Sequence, residues 1–296
     1  MIRLEHVSKS FAAIRAVNDV SLTIKKGAIT IISGADGAGK STIFKMLVGL
    51  VKKDEGAIFL NGENINGDYN RITSVCGYMP EKFSLYVDLS VEENLNFYAD
   101  IQQVPRRRRE ELKQRLLEKT GMLPFKKRRA GALSGGMKQK LALSAILLSS
   151  PDLIILDEPT TGVDPLSRIE FFAIIEDLKK EGKTIVMSTP YLDEAEKGDF
   201  VVLLKNGRVM VRDSIAMLKK SFPARLFRIL PRGNIFEVMQ QINAVPGLGG
   251  QVHMRGKFIR YMQTGPENLA GQIPHLEILE ETPTLEDVYI YHERWQ

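Results

Sequence analysis

Residues Gly34 to Thr42 read GADGAGKST, a glycine-rich run that closes on a lysine and two hydroxyls. Ahead of it stand the β-formers Ile29, Thr30, Ile31 and Ile32, and behind it Ile43, Phe44, Leu47 and Val48 recur at helical spacing. Strand, glycine loop and helix, in that order, is the setting in which G-x-x-x-x-G-K-[ST] cradles phosphate. Gly34, Gly37 and Gly39 are expected to take positive φ and to turn backbone N–H groups toward an anion. The helix that opens at the loop's end aims its positive pole at the same point. Lys40 then reaches the outer phosphates of a nucleotide, and the Ser41 hydroxyl serves Mg²⁺. The competing reading, a glycine-rich turn that binds nothing, leaves the flanking strand and helix without a purpose.

Two further stretches carry chemistry. Leu153-Ile154-Ile155-Leu156 is an apolar run that ends in Asp157 and Glu158. Adjacent acids at a strand end repel each other, which costs stability unless a metal ion or a water needs them. Downstream of a phosphate loop, the first acid orients Mg²⁺, and the second polarises the water that attacks the γ-phosphate. The competing reading, an exposed strand end with incidental acids, loses most of its weight once the phosphate loop stands upstream. The third stretch, Leu133-Ser134-Gly135-Gly136-Met137-Lys138-Gln139, sits just before a helical pattern and makes a second helix N-terminus suited to phosphate. A single nucleotide cannot fill both helix ends if they lie on different faces.

The elements that must position these residues follow a β/α rhythm. Residues 2–7 and 17–24 alternate apolar and polar positions and read as antiparallel strands, the first as an edge. The helix after the phosphate loop extends to about Leu50. Gly56 to Leu60 is a short strand ended by the turn pair Asn61-Gly62, and Ile72 to Met79 another, stopped by Pro80. From about 85 to 150 the pattern is helical, with Arg106 to Lys119 a charged segment and Lys138 to Leu148 a more apolar one. Strands return at Leu153 to Leu156 and Lys183 to Ser188. Asp164-Pro165 marks a helix start, another helix begins near Tyr191, and Lys205-Asn206-Gly207 is a hairpin signal between Val201 to Leu204 and Arg208 to Val211. Residues 1–220 thus read as one domain. Residues 221–296 read as a small α+β domain: a strand from Ala224 to Leu230, a helical face of Ile235, Val238, Met239 and Ile242, a hairpin at Gly256, a strand from His275 to Leu279, and a terminal helix opened by the capping box Thr284 to Asp287.

Composition narrows the class. The 296 residues are 44% hydrophobic, enough for a core, and no window approaches the roughly 18 apolar residues of a membrane span. The opening MIRLEHVSKSF lacks the apolar centre of a signal peptide. A single cysteine, Cys76, excludes an internal disulfide and, with only four histidines, argues against zinc. Residues 105–130 hold eleven basic against three acidic side chains, more than the whole net charge of +5, so the remainder is net acidic. That stretch reads as a solvated helical face, as a neighbour of an anionic membrane surface, or as a nucleic-acid contact.

Together, LSGGM-KQ twenty residues ahead of LIILDEP, with GADGAGKST upstream, resembles the ATP-binding subunit of ABC transporters over roughly residues 1–220. GYMPEKFSLYVDLSVEENLNFYADI, STPYLDEAE and TPTLEDVYIY are similar to bacterial multidrug exporters, in particular to the first ATPase half of exporters with tandem ATPase domains. The resemblance implies an α/β fold: a P-loop NTPase core with an antiparallel β subdomain, a helical insert and a small C-terminal α+β domain. It implies ATP and Mg²⁺ as ligands, transmembrane permease subunits and a second ATP-binding subunit as partners, no specific nucleic acid, and a peripheral place on the cytoplasmic face of the cell membrane. Two such domains would close head to tail, each ATP lying between one phosphate loop and the partner's signature. Carried over by position, Phe11 stacks on adenine, and Gly34, Ala35, Asp36, Gly37, Ala38, Gly39, Lys40, Ser41 and Thr42 hold the phosphates. Ser134, Gly135 and Gly136 face the partner's ATP, Ser41, Asp157 and Glu81 serve Mg²⁺, Glu158 is the catalytic base, and Asp164 communicates across the dimer. Two positions depart from the pattern: Glu81 stands where Gln is usual, and Pro190 where His is usual. Proline offers neither a side-chain donor nor an N–H, so hydrolysis is expected to be weak.

Overall fold

The computed structural model describes residues 1–231, 233–245, 250–265 and 276–295. The chain divides into two compact units, Met1–Ser214 and Ile215–Gln296. The division falls ahead of residue 220 because helix α8 (Ile215–Lys220) packs against the closing helix α10 (Leu285–Trp295). Among the described residues no helix is long and apolar enough to cross a membrane.

In the first unit, β1 (Ile2–Phe11) and β2 (Ile14–Ile24) pair antiparallel with Ile2 opposite Ile24. Both outrun the simple alternation of their sequences, because bulges absorb its breaks. His6 and Asp19 take φ of 50° and 57°, and the register shifts around His6. β1 is not an edge strand. β4 (Glu55–Leu60) covers its other side, in the order β2-β1-β4-β5 with β5 at Glu63–Asn64. An edge cannot be read from a strand's own residues when the covering strand arrives from a distant segment. At the β4–β5 turn, Asn61 and Gly62 both take positive φ, 51° and 90°, as a two-residue hairpin requires.

The second sheet has the order β10-β9-β3-β8-β7-β6. β3 (Ile29–Ser33) runs parallel to both its neighbours, β8 (Thr184–Thr189) and β9 (Phe200–Lys205). β7 (Leu153–Leu156) and β6 (Cys76–Met79) continue the parallel set, and β10 (Arg208–Ser214) closes it antiparallel. β3, β7 and β8 are buried along their whole length, as central strands of a parallel sheet covered on both faces are. The expected strand from Ile72 is shorter than its β-branched residues imply. Asn70–Thr73 forms a helical turn, α2, which buries Ile72, and pairing begins only at Cys76 opposite Leu153. The Val75 carbonyl accepts the N–H groups of both Asp152 and Leu153, and the ladder starts there.

Helix α1 (Lys40–Leu47) lies between the two sheets, and its Ile43, Phe44 and Leu47 join Leu4, Leu22, Ile32 and Ile58 in one core. Each such side chain contributes about 1.5–3 kcal/mol on burial. The helical insert is α3 (Val91–Ile101), α4 (Arg106–Lys119) and α5 (Gly135–Leu147). Ser90 and Glu93 open α3 with a reciprocal capping box. Part of the basic stretch is architectural. Arg109 pairs with Asp100, Lys113 with Glu92 and Glu110, and both Arg115 and Lys119 with Glu181.

The second unit is the expected α+β arrangement: an antiparallel sheet of order β12-β13-β11-β14 with helix α9 (Ile235–Asn243) burying Val238 and Ile242 on it. Its strands are β11 (Arg225–Leu230), β12 (Gly250–Arg255), β13 (Phe258–Gln263) and β14 (Glu277–Glu281). β14 begins two residues later than expected, and His275 lies outside the described residues. Thr284 and Asp287 bond reciprocally at the start of α10. Asp287 also receives a bidentate Arg260, at 2.9 Å from Nε and 2.6 Å from Nη2, with both side chains almost fully buried. Burial acts to raise the Asp287 carboxyl, but the Arg260 and Thr284 bonds outweigh it and hold it below its ordinary value. A depressed carboxyl adds stability above its unfolded value and loses it as pH falls through the folded one. Asp287→Ala takes both of these bonds from the buried Arg260 and leaves it Glu281 as its carboxylate partner, so the second unit should lose about 3 kcal/mol at neutral pH. Hydrogen exchange of the β11 and β13 amides measures this, and the gap to wild type should narrow only below the ordinary carboxylate range.

Candidate active site

β3, β8, β7 and β6 run parallel as neighbours, so their carboxyl ends share one edge. That edge carries the phosphate loop after β3, Pro190 after β8, Asp157 and Glu158 after β7, and Glu81 after β6. Ligands of open α/β sheets bind at this edge.

Within the loop, Gly37 and Gly39 take φ of 78° and 102°. Gly34 does not, contrary to expectation. Its requirement is steric, because a Cβ there would meet the Leu204 carbonyl oxygen at 2.4 Å. α1 starts at Lys40, directly behind Gly39. The buried Lys40 ammonium donates to the carbonyls of Gly34 at 2.8 Å and Ala35 at 3.2 Å, and pairs with Glu158 Oε1 at 3.1 Å. The Ala16 carbonyl presses on the loop from β2: a Cβ at position 39 would come within 2.4 Å of it, and one at position 207 within 2.7 Å. The Gly207 N–H donates in turn to the Ala38 carbonyl at 3.2 Å.

Asp157 is the hub of the second cluster. Its Oδ1 accepts the Ser41 hydroxyl at 3.0 Å and the Ser188 hydroxyl at 2.7 Å. The same Ser188 oxygen accepts the Glu158 N–H at 2.9 Å. Glu158 has a φ of 49°, a left-handed conformation that costs a non-glycine residue on the order of 1–3 kcal/mol unless its surroundings fix it. The Ser188 bond and a 3.3 Å bond from the Thr161 hydroxyl do so. Burial raises the Asp157 carboxyl above its ordinary value; the Ser188 and Ser41 bonds oppose this, and the neighbouring Glu158 charge adds to it.

A cavity of about 680 Å³ opens over these groups, within the size range of small-molecule sites. Asp36, Lys40, Ser41, Thr42, Glu81 and Glu158 line it, as do Ile14, Arg15, Ala16 and Asn206. Phe11 is not among the lining residues. Its ring lies 5.4 Å from the Lys9 ammonium, and the β2 residues that follow the turn face the cavity instead. Sequence reasoning missed Ser188 and the Ile14–Ala16 wall, and the only trace of Asn206 was its hairpin. The donor set fits Mg²⁺, which takes carboxylate, hydroxyl and phosphate oxygens. Ser41 and a buried acid beside a second acid present such oxygens with excess negative charge, and Glu81 borders the same space.

Ser134, Gly135 and Gly136 lie outside this cavity. Ser134 caps α5 by accepting the Met137 N–H at 3.3 Å. Gly136 packs on the start of α6 (Pro165–Lys180), where a Cβ would come within 2.4 Å of Ser167. Asp164 caps α6, accepting the Ser167 N–H at 2.9 Å.

Known proteins resemble this chain in sequence and in fold. Residues 17–161 match the family model described as ABC transporter. Nod factor export ATP-binding protein I of Rhizobium sp. (strain N33) is 32% identical over 294 residues, covering 98% of this chain and 95% of that protein. The chain belongs to the ABC transporter ATP-binding family. This ABC subunit is also 38% identical over 298 residues to the probable multidrug ABC transporter ATP-binding protein YbhF of Escherichia coli (strain K12), but there it spans only 51% of the relative's length. A solved ATP-binding subunit of an ABC transporter superposes with a TM-score of 0.66 at 30% identity, over 75% of this chain and 93% of that one. The dimeric post-hydrolysis state of the ATP-binding cassette MJ0796 bound to ADP and Pi gives 0.65 at 25% identity, over 72% and 98%. Family membership brings ATP binding and hydrolysis with it.

The raised Asp157 carboxyl makes its ionisation a cost to the folded state above the ordinary carboxylate range, relieved as pH falls. Without nucleotide, Asp157→Asn should therefore melt higher than wild type at pH 7, with the gain shrinking toward pH 4. Thermal melts across that range measure it, and an equal or lower melting temperature at pH 7 contradicts the reading.

Proposed function

We propose that this ABC subunit is one half of an ATP-driven clamp that works a membrane permease from the cytoplasmic face of the cell membrane. The carrying observation is that Lys40, Ser41 and Glu158 line one open cavity, with Asp157 bonded to Ser41 at its margin, and that Ser134–Gly136 are absent from it. The signature needs a phosphate from elsewhere, and the cavity needs a second wall. A second ATP-binding subunit, the same or different, supplies both.

In this reading the N–H groups of Gly34 to Thr42 and the positive end of α1 receive the phosphates. The Ile14–Ala16 wall and Phe11 at the neighbouring turn offer apolar surface to the base. Lys40 leaves its contacts with Gly34, Ala35 and Glu158 for the phosphates, which frees the Glu158 carboxylate. Glu158 then accepts a proton from the attacking water. Ser41, Asp157 and Glu81 would hold Mg²⁺, which neutralises phosphate charge when bound. Asp164 stands at the loop that meets the second subunit. Export of drugs or other small molecules is proposed on the names of the relatives, multidrug for YbhF and Nod factor export for the Rhizobium protein.

A second reading, a clamp that closes but hydrolyses slowly and pairs with a more competent ATPase subunit, is favoured by Pro190 and Glu81. Pro190 ends β8 with no donor to offer, and Glu81 brings a carboxylate to the cavity rim. One missing donor at transition-state charge costs on the order of 10²–10³ in rate. Pro190→His should accordingly raise turnover of the purified chain by on the order of tenfold or more, and Glu158→Gln should lower it by about 10² or more while ATP still binds. Phosphate release assays with parallel nucleotide-binding titrations measure both. Brisk wild-type turnover that ignores Pro190→His sinks the slow-clamp version, and Glu158→Gln with full activity sinks the assigned base.

A further inference from the structure

Behind the site lies a buried carboxylate that none of the roles above uses. Glu194 sits in the short helix α7 (Leu192–Ala195) and is 1% exposed. Its Oε2 accepts two hydroxyls, Thr160 at 2.7 Å and Thr189 at 2.6 Å, both themselves buried. Its Oε1 makes no hydrogen bond and faces Arg168 Nη1 at 3.6 Å. Arg168 holds the loop ahead of α6 through its side chain, its Nε donating to the Val163 carbonyl at 2.9 Å. Its guanidinium also stacks 4.6 Å from the Tyr191 ring centre. Thr189 completes the circuit by accepting the Tyr191 N–H at 3.1 Å, across Pro190.

An ionised carboxylate withdrawn from water costs several kcal/mol unless it is paired and hydrogen-bonded. Two threonine hydroxyls could be satisfied far more cheaply by backbone carbonyls. What the carboxylate adds is a single point to which three segments are tied: Thr160, two residues beyond Glu158; the Val163–Asp164 turn, through Arg168; and the end of β8 at Thr189, next to Pro190. Thr161, between the first two ties, donates to Glu158 itself.

We propose that Glu194 is a positioning residue for ATP hydrolysis, clamping the Thr160–Asp164 loop to the end of β8 so that both move as one body around Glu158. The inference rests on the hydrolysis reading for its kinetic consequence, but the clamp itself has a readout that does not.

The test uses the full chain and the variants Glu194→Gln, Thr160→Val and Thr189→Val. Hydrogen exchange reads the clamp: the Thr161, Val163 and Tyr191 amides should all exchange about tenfold faster or more in Glu194→Gln, with the Gly34 to Thr42 amides unchanged. Thr160→Val should loosen Tyr191, and Thr189→Val should loosen Val163. In the Glu194→Gln background these remote effects should vanish. Steady-state kinetics read the consequence: kcat for ATP should fall tenfold or more in Glu194→Gln while KM stays within about twofold. Loosening confined to α7, or remote effects that persist without Glu194, overturns the clamp. Loosening of both segments with an unchanged kcat overturns the positioning role, as does a kcat loss that disappears well below the variant's melting temperature. A wild-type chain without turnover counts against the hydrolysis reading, and the exchange experiment still decides the clamp.

Discussion

The Asp157 carboxylate is the point at which three separate pieces of chain meet. Ser41 comes to it from the first turn of α1, Ser188 from β8, and Asp157 itself from the end of β7. These hydroxyls reach one oxygen only because β3, β8 and β7 are parallel neighbours in register, Leu156 opposite Met187 and Ser33 opposite Thr189. The apolar strands therefore do more than fill a core. Their pairing sets the distance between the phosphate loop and the acid pair.

Electrostatic balance around that point is provisional. Lys40 is satisfied by two carbonyls and by Glu158, and Glu158 by Lys40, Ser188 and Thr161. Lys40 and Glu158, the two charges of this set, are the groups that the proposed nucleotide chemistry calls upon. Without nucleotide, the site is closed on itself by its own charges, and ligand phosphates compete with an internal ion pair rather than with water alone. The second unit solves its buried charge in the opposite way. Arg260 and Asp287 are bidentately paired, Thr284 donates to the same carboxylate, and Glu281 and the Thr282 carbonyl take the rest of the guanidinium.

What could be read from the sequence was local. The phosphate loop, the caps Ser134, Asp164 and Thr284, and the Asn-Gly turns at 61–62 and 206–207 each declare themselves within a few residues, because backbone φ and orphan N–H groups at helix ends are short-range demands. What could not be read was set by distant chain. β1 lost its edge to β4, the strand expected from Ile72 yielded to α2 where pairing with β7 ends, and Gly34 is glycine because of the Leu204 carbonyl. Ser188 and Glu194 belong to the same class. Each is an ordinary residue in its own segment and acquires meaning from a partner some thirty residues away.

The Ala16 carbonyl touches the phosphate loop at Gly39 and the β9–β10 turn at Gly207, two glycines far apart in the chain that crowd one oxygen. In evolutionary terms this makes them a single locus. Neither can gain a methyl group unless β2 retreats, and a retreat of β2 that accommodates one loosens the seat of the other. A methyl group at position 39 or at position 207 meets the same Ala16 oxygen, on top of the strain that each residue's own positive φ imposes. The hairpin turn and the phosphate loop thus share one steric boundary, set by a single β2 carbonyl.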